Sequence, residues 1–336
     1  MNPAAVYIIV LNYNSWRDTI ECLGSLIEQD YPDFKIVVVD NGSVNDSVFQ
    51  LESWAKNITE KKGINVNRSL YHQHQFIEQE IYDNSLIHFI WSDQNSGYAA
   101  GNNIGIRYSN LHSKDHFLWL LNNDTIVFKD TLSILTGFFQ NNKAKNVGLV
   151  GCLQLFYHDP TRIQCTYGRY NKNTGLPEQM GENEALLRPV IINQEDIHYL
   201  SGACLLTRSN VLEKVGLLSE DYFLFFEELD IAYRMKRAGY SLLFCNETHI
   251  LHKHGTSIDG KSQKGSEASP LGNYHHFRSK FIFARKHHKK RLPLYLFVSA
   301  LQIGNRLLKG KFKNAAAAIK GVKDGIIKNG LTTTQQ

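Results

Sequence analysis

The 336 residues are long enough for one large domain or for a domain with an appendage. Hydrophobic residues make up 43% of the chain and charged residues 21%, which is typical of globular proteins and excludes collagen-like or disordered composition. The net charge of +5 is unevenly distributed, because residues 285–328 contain twelve Lys or Arg and one acid, a balance of 12 − 1 = +11. The remainder of the chain therefore carries 5 − 11 = −6.

The five cysteines are widely spaced and include no C-x-x-C pair, which indicates a reducing compartment and argues against a zinc ribbon. The first apolar run spans only residues 6–11 and follows no basic segment. It is too short for a spanning helix and lacks the charge of a signal peptide, so we interpret it as a first buried strand.

A β-α-β unit is predicted at the beginning of the chain. Residues 6–11 and 35–39 are apolar runs typical of buried strands, and a helix between them would place Ile20, Leu23 and Leu26 on one face. Such units are nearly always right-handed with parallel strands. The loops that follow the two strands are therefore expected at the same edge of a sheet.

Residues 57–85 show no clean period, and we interpret them as an insertion that is partly helical. A third strand is predicted at residues 86–91. The glycine-rich residues 95–105 then open a helix, for which two interpretations remain. The helix N-terminus could bind phosphate, or the glycines could let the helix pack closely on the sheet.

An unbroken apolar run at residues 117–121 ends directly in Asn122, Asn123 and Asp124. Ligands gather beyond the carboxyl ends of the strands in open α/β sheets, so Asp124 lies where a functional acid is expected. The alternative is a simple turn, since Asn and Asp tolerate turn conformations.

The next elements are predicted as a helix near residues 130–142 and a strand at 147–156. The turn-rich residues 157–196 are expected to form irregular hairpins over the sheet, and loops of this length often bind ligands. A strand at residues 197–207 and a short helix at 209–215 follow.

A second polar cluster consists of Glu227, Glu228 and Asp230 at the start of a predicted helix, beside an aromatic run at residues 222–226. The helix dipole explains one or two of these acids. Carboxylates beside apolar rings tend to have raised pKa values, as a general base requires. Farther along, His252 closes an apolar run and could be a metal ligand or a packing residue.

Taken in order, seven segments resemble the family 2 glycosyltransferases with the GT-A fold, particularly the bacterial rhamnosyltransferase-like branch. These segments are residues 10–14, 38–43, 95–105, 120–124, 201–203, 225–240 and 252–257. The resemblance implies an α/β GT-A domain at residues 1–272, with a Rossmann-like, mixed and mostly parallel sheet flanked by helices. It also implies acceptor-side loops at 157–196 and a C-terminal helical appendage at 273–336.

The resemblance also assigns roles to residues. The donor-binding set that it implies is Asn12, Tyr13, Asp40, Ser43, Asn95, Gly97, Gly101, Asn102, Asn122, Asn123 and Gly202. An aromatic ring such as that of Tyr13 can stack on a base, and a carboxylate can accept from ribose hydroxyls. The family's metal-binding D-x-D falls on residues 122–124, where the first position is Asn instead of Asp.

Two further assignments concern the metal and the base. Asp124 and His252 are implied as ligands of a divalent metal, Mn or Mg. The family's Glu-Asp pair falls on Glu227 and Glu228, so Glu228 is implied as the catalytic base. Asp230 is then expected to position the helix or to bind the acceptor.

The implied reaction is a single inverting displacement. A sugar, rhamnose favoured, would move from a dTDP or UDP donor to a glycan or polyprenyl-linked acceptor in cell-surface polysaccharide synthesis. One alternative is a sugar nucleotidyltransferase, which would need a Gly-rich loop with Arg and Lys after the first strand, absent here. Another is a non-catalytic sugar-nucleotide-binding scaffold, against which the acids at 227, 228 and 230 argue.

The C-terminal part contains an apolar run at residues 292–303, bordered on both sides by Lys and Arg. The run is too short to span a bilayer but is typical of an interfacial anchor at an anionic membrane surface. The alternative is a helical hairpin packed on the domain with a solvated basic face. No base-reading motif accompanies the charge, so nucleic acid is not expected. The protein is expected in the cytoplasm, peripheral at the inner face of the cytoplasmic membrane.

Overall fold

The computed structural model describes residues 4–82, 84–186, 190–253 and 269–327. Its strands are β1 Val6–Asn12, β2 Phe34–Asp40, β3 Val66–His72, β4 Gln75–Glu80, β5 Ile87–Ser92, β6 Phe117–Asn122, β7 Thr125–Val127, β8 Val147–Phe156, β9 Asp159–Cys165, β10 Gly168–Asn171, β11 Leu176–Gln179, β12 Cys204–Arg208 and β13 Ser241–His252. Its α-helices are α1 Trp16–Leu26, α2 Ser47–Lys62, α3 Tyr98–His112, α4 Thr131–Asn141, α5 Ser209–Val215, α6 Glu227–Arg237, α7 Pro270–His287, α8 Leu292–Leu308 and α9 Phe312–Ile327.

Eleven strands form one mixed sheet, in the order β4-β3-β5-β2-β1-β6-β12-β8-β13-β7, with β9 paired to β8. β1 lies at the centre and pairs in parallel with β2 and β6. Antiparallel pairing begins at β12, which lies between β6 and β8. Because helices cover both faces, the central strands are buried on both sides and read as continuous apolar runs. This arrangement confirms the mixed, mostly parallel sheet flanked by helices.

Residues 57–85 contain two strands that the sequence analysis did not predict. α2 extends to Lys62, so the helical part of the expectation is right, but β3 and β4 then join the central sheet as a hairpin at its edge. The segment is therefore part of the sheet and not a separate insertion. Both strands mix polar and apolar residues without a clean alternation, since β4 lies at the exposed edge and β3 lies next to it, and this hid them in the sequence.

The segment at residues 157–196 adds β9 to the main sheet and forms the separate hairpin β10–β11. The strand predicted at 197–207 begins only at Cys204. Before it, the ring of Tyr199 covers Gly168 so closely that a Cβ on Gly168 would lie 2.0 Å from that ring. Tyr199 thereby holds the chain against the hairpin instead of in the sheet.

Two of the three C-terminal helices, α7 and α9, pack closely on other parts of the protein. α7 is buried over most of its length, and Phe281 and Phe283 lie in the main core, so the predicted division after residue 272 falls inside one packed unit. α9 packs tightly on α7, because a Cβ on Gly321 would lie 2.4 Å from the carbonyl oxygen of Tyr274. Of the helices in the described ranges, none is long and apolar enough to cross a membrane.

Candidate active site

The register of the sheet brings the expected donor-binding residues together. Asn12 lies opposite Asp40 in the β1–β2 pair, and Leu11 lies opposite Asn122 in the β1–β6 pair. The Asn12 amide donates to Asp40 Oδ2 over 2.6 Å, and the Ser43 hydroxyl donates to the same oxygen over 2.7 Å. The prediction that the strand ends meet at one edge is therefore confirmed, and Asp40 is held by its neighbours.

The loop after β1 and the turn after β6 are joined by a buried hydroxyl. The Asn123 amide donates to Thr19 Oγ1 over 2.8 Å, and that hydroxyl donates to Asn12 Oδ1 over 2.7 Å. Asn123 thus faces the protein and fixes the position of Asn12. Tyr13 follows Asn12 in the same loop and is partly exposed.

The turn before α3 is organised by Asn41, a residue to which the sequence analysis gave no role. The Asn41 amide donates to Asn95 Oδ1 over 2.9 Å and to the Gly97 carbonyl over 3.1 Å. Gly97 has a φ of +90°, and a Cβ there would lie 2.4 Å from the carbonyl oxygen of Phe223. Only glycine can occupy this position, and its close contact with Phe223 connects the turn to the aromatic run before α6.

The glycines inside α3 have a packing role. A Cβ on Gly101 would lie 2.4 Å from the Leu11 side chain, and one on Gly105 would lie 2.6 Å from Ile9. The buried amide of Asn102 donates to the carbonyl of Tyr98 in its own helix over 2.9 Å. Of the two interpretations that the sequence left open for this region, the structure favours close helix packing for Gly101 and Asn102.

Asp124 and His252 meet because β7 pairs antiparallel with β13, which places His252 opposite Thr125. Asp124 Oδ1 lies 3.1 Å from His252 Nε2, and the Asn122 amide lies 3.5 Å from the same nitrogen. The other ring nitrogen, Nδ1, lies 2.6 Å from Oε1 of the buried Gln164 in β9. Since Gln164 Oε1 can only accept, Nδ1 carries a proton, and Nε2 is the ring nitrogen that faces Asp124.

This pair fits a divalent metal in its chemistry. Carboxylate oxygen and imidazole nitrogen are both ligands of Mn²⁺, and a hydrogen bond that fixes the imidazole tautomer is usual at metal sites. Within the described residues, no three or more His, Cys, Asp or Glu side chains are grouped so that they could hold a metal ion by themselves. Asp124 and His252 would therefore hold an ion together with oxygens from a bound substrate.

The acids at the start of α6 are placed by two residues with left-handed backbone. Phe225 and Phe226 have φ values of 67° and 72°, a conformation that costs energy in large side chains and tends to occur at functional sites. Glu227 and Glu228 follow directly. One carboxyl oxygen of each glutamate is buried and has no hydrogen-bond partner in the described part of the chain.

Burial disfavours negative charge on both glutamates. It raises the pKa of Glu227 well above its ordinary range, and the charge of Glu228 raises it further. Burial also raises the pKa of Glu228, while its own backbone N–H and the interaction with Glu227 oppose the rise. The pKa is therefore raised more strongly at Glu227 than at Glu228, and Glu228 is the member of the pair that more readily carries a negative charge.

Asp230 has a different environment from the two glutamates. Arg234 Nε donates to Oδ2 and His287 Nε2 lies against Oδ1, both at 2.7 Å, and the Tyr222 hydroxyl donates to Oδ1 over 3.3 Å. Burial acts to raise the pKa of Asp230, but His287 and Arg234 lower it overall. Both oxygens are engaged by the protein, so the structure favours the helix-positioning role of the two that the sequence suggested.

Tyr98 connects the two groups of acids, and the sequence analysis did not select it. Its hydroxyl donates to the carbonyl of Gly202 over 2.8 Å. Burial raises the pKa of this hydroxyl, and the negative charges of Glu227, Glu228 and Asp124 raise it further. The acid pair and the Asp124 carboxylate thus both act electrostatically on the hydroxyl of Tyr98, so we treat them as parts of one candidate site.

Residues from the segment 157–200 are within electrostatic range of Glu228. Burial raises the pKa of the Cys165 thiol to about 12, and the charges of Glu182 and Glu228 contribute. The charge of Glu228 also adds to burial in raising the pKa of the Tyr199 hydroxyl. The segment expected on the acceptor side is therefore near enough to feel the charge of the acid pair.

α7 supports the acid loop from behind. The rings of Phe223 and His275 stack with centroids 4.6 Å apart, and the Ser279 hydroxyl donates to the carbonyl of Leu224 over 2.8 Å. Arg278 is buried and donates to the carbonyl of Asp221 over 2.9 Å. The strained conformation at residues 225 and 226 is thus held by a helix that follows much later in the chain.

The fold is similar to that of solved glycosyltransferases. The mannosyltransferase PcManGT from Pyrobaculum calidifontis, in complex with GDP-Man and Mn²⁺, matches 97% of this chain and 88% of its own, with a TM-score of 0.55 and 15% identity. GalNAc-T7 with UDP, GalNAc and Mn²⁺ matches 87% of this chain and 52% of its own, with a TM-score of 0.57 and 14% identity. These likenesses show that the chain has the GT-A fold.

The sequence match is more specific. Residues 7–216, more than half of the chain, match the model of glycosyl transferase family 2, and the chain belongs to this family. It is 27% identical to the low-salt glycan biosynthesis hexosyltransferase Agl10 of Haloferax volcanii over 248 residues, 71% of this chain and 76% of that protein. It is 24% identical to the dTDP-rhamnosyl transferase RfbF of Shigella flexneri, over 66% of this chain and 70% of that protein.

A third relative matches a shorter part of the chain. Over 106 residues the chain is 31% identical to the N-acetylglucosaminyl-diphospho-decaprenol L-rhamnosyltransferase of Mycobacterium tuberculosis, 30% of this chain and 32% of that protein. These relatives belong to the rhamnosyltransferase-like branch expected from the motifs. The chain is a glycosyltransferase, so the nucleotidyltransferase and scaffold alternatives are not supported.

Proposed function

We propose that this glycosyltransferase moves a hexose, with rhamnose favoured, from a dTDP or UDP donor to a hydroxyl group of a glycan or polyprenyl-linked acceptor, with inversion at the anomeric carbon. The observation that carries the proposal is the acid pair Glu227–Glu228, which has a buried carboxyl oxygen without a partner among the described residues on each glutamate and whose charge acts on the same tyrosine hydroxyl as that of Asp124. One of the two glutamates can remove the proton of the acceptor hydroxyl, while the residues on the Asp124 side of the site hold the donor.

On the donor side, the proposal assigns the nucleoside to the edge formed by Asn12, Tyr13, Asp40 and Ser43. The Tyr13 ring would stack on the base. Each Asp40 oxygen can accept two hydrogen bonds, so the carboxylate can accept from a ribose hydroxyl as well as from its protein partners. Asn122, Asn95 and Gly202 lie around the same edge and would contact the rest of the donor.

The proposal places a divalent metal, Mn or Mg, at Asp124 and His252, with Gln164 holding the imidazole. When bound, the ion would neutralise the negative charge of the nucleoside diphosphate as it leaves. The charge of the site supports this role, because Asp40, Asp124 and Glu228 are all acidic and would otherwise repel a diphosphate. The Mn²⁺ in the two solved relatives is consistent with it.

The chemical step that we propose is one displacement. The acceptor oxygen forms a bond to the anomeric carbon, the bond from that carbon to the diphosphate oxygen breaks, and the acceptor proton moves to Glu228. The raised pKa of Glu228 suits a base that operates near neutral pH. Glu227 keeps its proton and directs a hydrogen bond to Glu228, so the charge remains on the base.

The relatives support the proposed acceptor and donor sugar. A polyprenyl-linked acceptor is supported by the name of the mycobacterial relative, and rhamnose by two of the relatives. The segment at residues 157–196, in which Cys165 is within electrostatic range of Glu228, would contact the acceptor. We propose that the enzyme works in cell-surface polysaccharide synthesis, at the inner face of the cytoplasmic membrane.

The first test measures thermal stability with a panel of nucleoside diphosphates, each with Mn²⁺, Mg²⁺ or a chelator. A ligand that binds the folded state raises the melting temperature by mass action, so dTDP or UDP with a metal should give the largest rise. Asp124→Ala should reduce the response to metal and nucleotide together. NMR of the product should then show an inverted anomeric configuration, and a retained configuration would disprove the proposed displacement.

A further inference from the structure

α8 carries a broad apolar face toward solvent. Only Tyr295 and Ser299 of its seventeen residues are buried. The large apolar side chains exposed by at least 39% are Leu294, Leu296, Phe297, Leu301, Leu307 and Leu308, which we call the apolar face of α8. At 3.6 residues per turn these positions fall within about 160° of the helix circumference. Arg306, the single charged residue of α8, lies outside that arc.

The opposite side of α8 is fixed to the protein. The Tyr295 hydroxyl donates to the carbonyl of Lys172 over 3.0 Å and accepts from Tyr170 over 3.2 Å. On the next turn, Ser299 Oγ accepts from Lys280 over 3.1 Å. Because these contacts set the rotation of the helix, the apolar face points outward in the folded protein.

Basic residues border the apolar face at both ends of the helix. Lys289 and Lys290 are exposed just before it, and residues 309–313 contain three lysines just after it. The surrounding residues 268–323 contain thirteen Lys or Arg and no acid. Phe312 is 67% exposed and extends the apolar surface between the lysines.

We propose that the apolar face of α8 lies in the interfacial layer of an anionic lipid bilayer, with the lysines at both ends against lipid headgroups. An interfacial helix has this combination of an apolar face and basic borders. A second copy of the chain fits less well, since either orientation of two α8 helices would bring lysine-rich ends together. This membrane contact adds to the proposed function. The lipid-linked nature of the acceptor is taken from the proposed function.

The structure relates this contact to catalysis. α8 packs on α7 through Lys280, and α7 supports the acid loop through His275 and Ser279. α8 also packs on the β10–β11 hairpin through Tyr170. A bilayer against α8 would therefore lie beside the acceptor side of the site, where a lipid-linked hydroxyl has to arrive.

The test is flotation of the full-length protein with vesicles of phosphatidylcholine, with or without about 30% phosphatidylglycerol. We expect binding only to the anionic vesicles. The double variant Phe297→Ser/Leu301→Ser should reduce the bound fraction at least about tenfold, because it removes two inserted side chains. Phe49→Ser is the matched control, since Phe49 is 69% exposed on α2, and it should bind like the wild type.

The basic borders are tested in the same assay. Lys289→Gln/Lys290→Gln should weaken binding about fivefold for each lysine. The exposed pair Lys56→Gln/Lys61→Gln on α2 is the control and should have no effect. All variants should keep the wild-type melting temperature within a few degrees, which shows that folding is intact.

Three results would overturn the inference. These are no binding to anionic vesicles, equal binding of the Phe297→Ser/Leu301→Ser variant, and self-association that this variant abolishes without any vesicle binding. Transfer to a soluble acceptor, assayed without vesicles, separates this inference from the proposed function. A variant that loses vesicle binding and keeps this transfer supports both, and vesicle binding by a protein without transferase activity would disprove the proposed function alone.

Discussion

Glu227 and Glu228 are neighbours in the sequence, and burial raises the pKa of both carboxyl groups. They differ in how their interaction acts, because it raises the pKa of Glu227 and lowers that of Glu228. Glu228 is therefore the member of the pair better suited to act as a charged base. The left-handed conformation of Phe225 and Phe226 gives both groups their position.

Glu228→Gln should lower kcat by roughly 10²–10⁴-fold, because the amide cannot take the acceptor proton. The dissociation constant of the nucleoside diphosphate should change little, since Glu228 lies away from the donor-binding edge. Steady-state kinetics and calorimetric titration measure the two quantities. Glu213→Gln, on the exposed side of α5, is the control and should keep the wild-type kcat. Equal kcat values for Glu228→Gln and the wild type would rule out this base.

Glu227→Gln should change how stability depends on pH. A carboxyl group whose pKa is raised by folding binds more protons in the folded than in the unfolded state, from its ordinary value of 4.5 up to the raised value. Its contribution to the free energy of unfolding is complete below that ordinary value and is lost as pH rises. Gln does not titrate, so the variant does not lose this stabilisation as the pH rises. The melting temperature of the variant minus that of the wild type should therefore increase between about pH 5 and about pH 8. A constant difference, as expected for Glu213→Gln, would contradict the raised pKa.

Gln164→Leu should weaken the binding of Mn²⁺ in the presence of nucleoside diphosphate by about 10–100-fold, because His252 loses the acceptor that fixes its tautomer. Gln164→Glu keeps an acceptor at Nδ1 and should restore binding. The metal concentration at half-maximal thermal shift measures the affinity without an activity assay. If both variants bind Mn²⁺ equally well, Gln164 is only a packing residue.

At the scale of the elements, the sequence predicts the buried parallel strands well, because strands covered on both faces must be continuous apolar runs. β1, β2 and β6 fall where those runs are. The edge strands β3 and β4 were missed because exposure permits polar residues such as Arg68 and Glu78 inside them. The wrong start of β12 has a tertiary cause, the packing of Tyr199 on Gly168, which no local pattern records.

The residues of the candidate site likewise include some that the sequence predicts and some that it does not. Asp40, Asp124 and the Glu227–Glu228 pair could be predicted, because each follows a strand or begins a helix in a recognisable motif. Gln164 and Tyr98 could not be predicted. Their partners, His252 and Gly202, are 88 and 104 residues away, and only the completed sheet brings them together.

Gly321→Ala should destabilise the docking of α9 by about 1–3 kcal/mol, since the added Cβ would lie 2.4 Å from a backbone oxygen of α7 that cannot move aside. Gly24→Ala in α1 is the matched control, because nothing lies within 4 Å of a Cβ there. It should stabilise its helix by about 0.5–1 kcal/mol. Urea unfolding measures both changes. A similar gain in the two variants would show that α9 does not pack as described.

At the scale of the whole molecule, the charges are separated into an acidic site and a basic C-terminal part. In the proposed mechanism the acids would hold the metal and take the acceptor proton, whereas the thirteen basic residues at 268–323 have no acid among them. The hydrophobic interior extends through both parts, and Phe281, Phe283 and Tyr295 complete the core that begins at β1. The two parts are therefore expected to unfold together.

The five cysteines report on that interior, because all are buried and free. Burial raises the pKa of the Cys22 thiol to about 12 and that of Cys245 to about 11, so few thiolates are available. A thiol reagent should react slowly with the native protein and quickly with five thiols in guanidinium chloride. Its rate should follow global unfolding. Rapid reaction of one thiol in the native protein would show that its strand opens independently.

The support of the acid loop by α7 also has a consequence for synthesis on the ribosome. When residue 216 has been added, the strands that carry Asn12, Asp40 and Asp124 are already present. The loop before Glu227 receives its backing only after residues 270–287 have emerged, later than every strand of the sheet. The nascent enzyme should thus acquire the ability to bind its donor before it can transfer the sugar, which protects the donor from hydrolysis by unfinished chains.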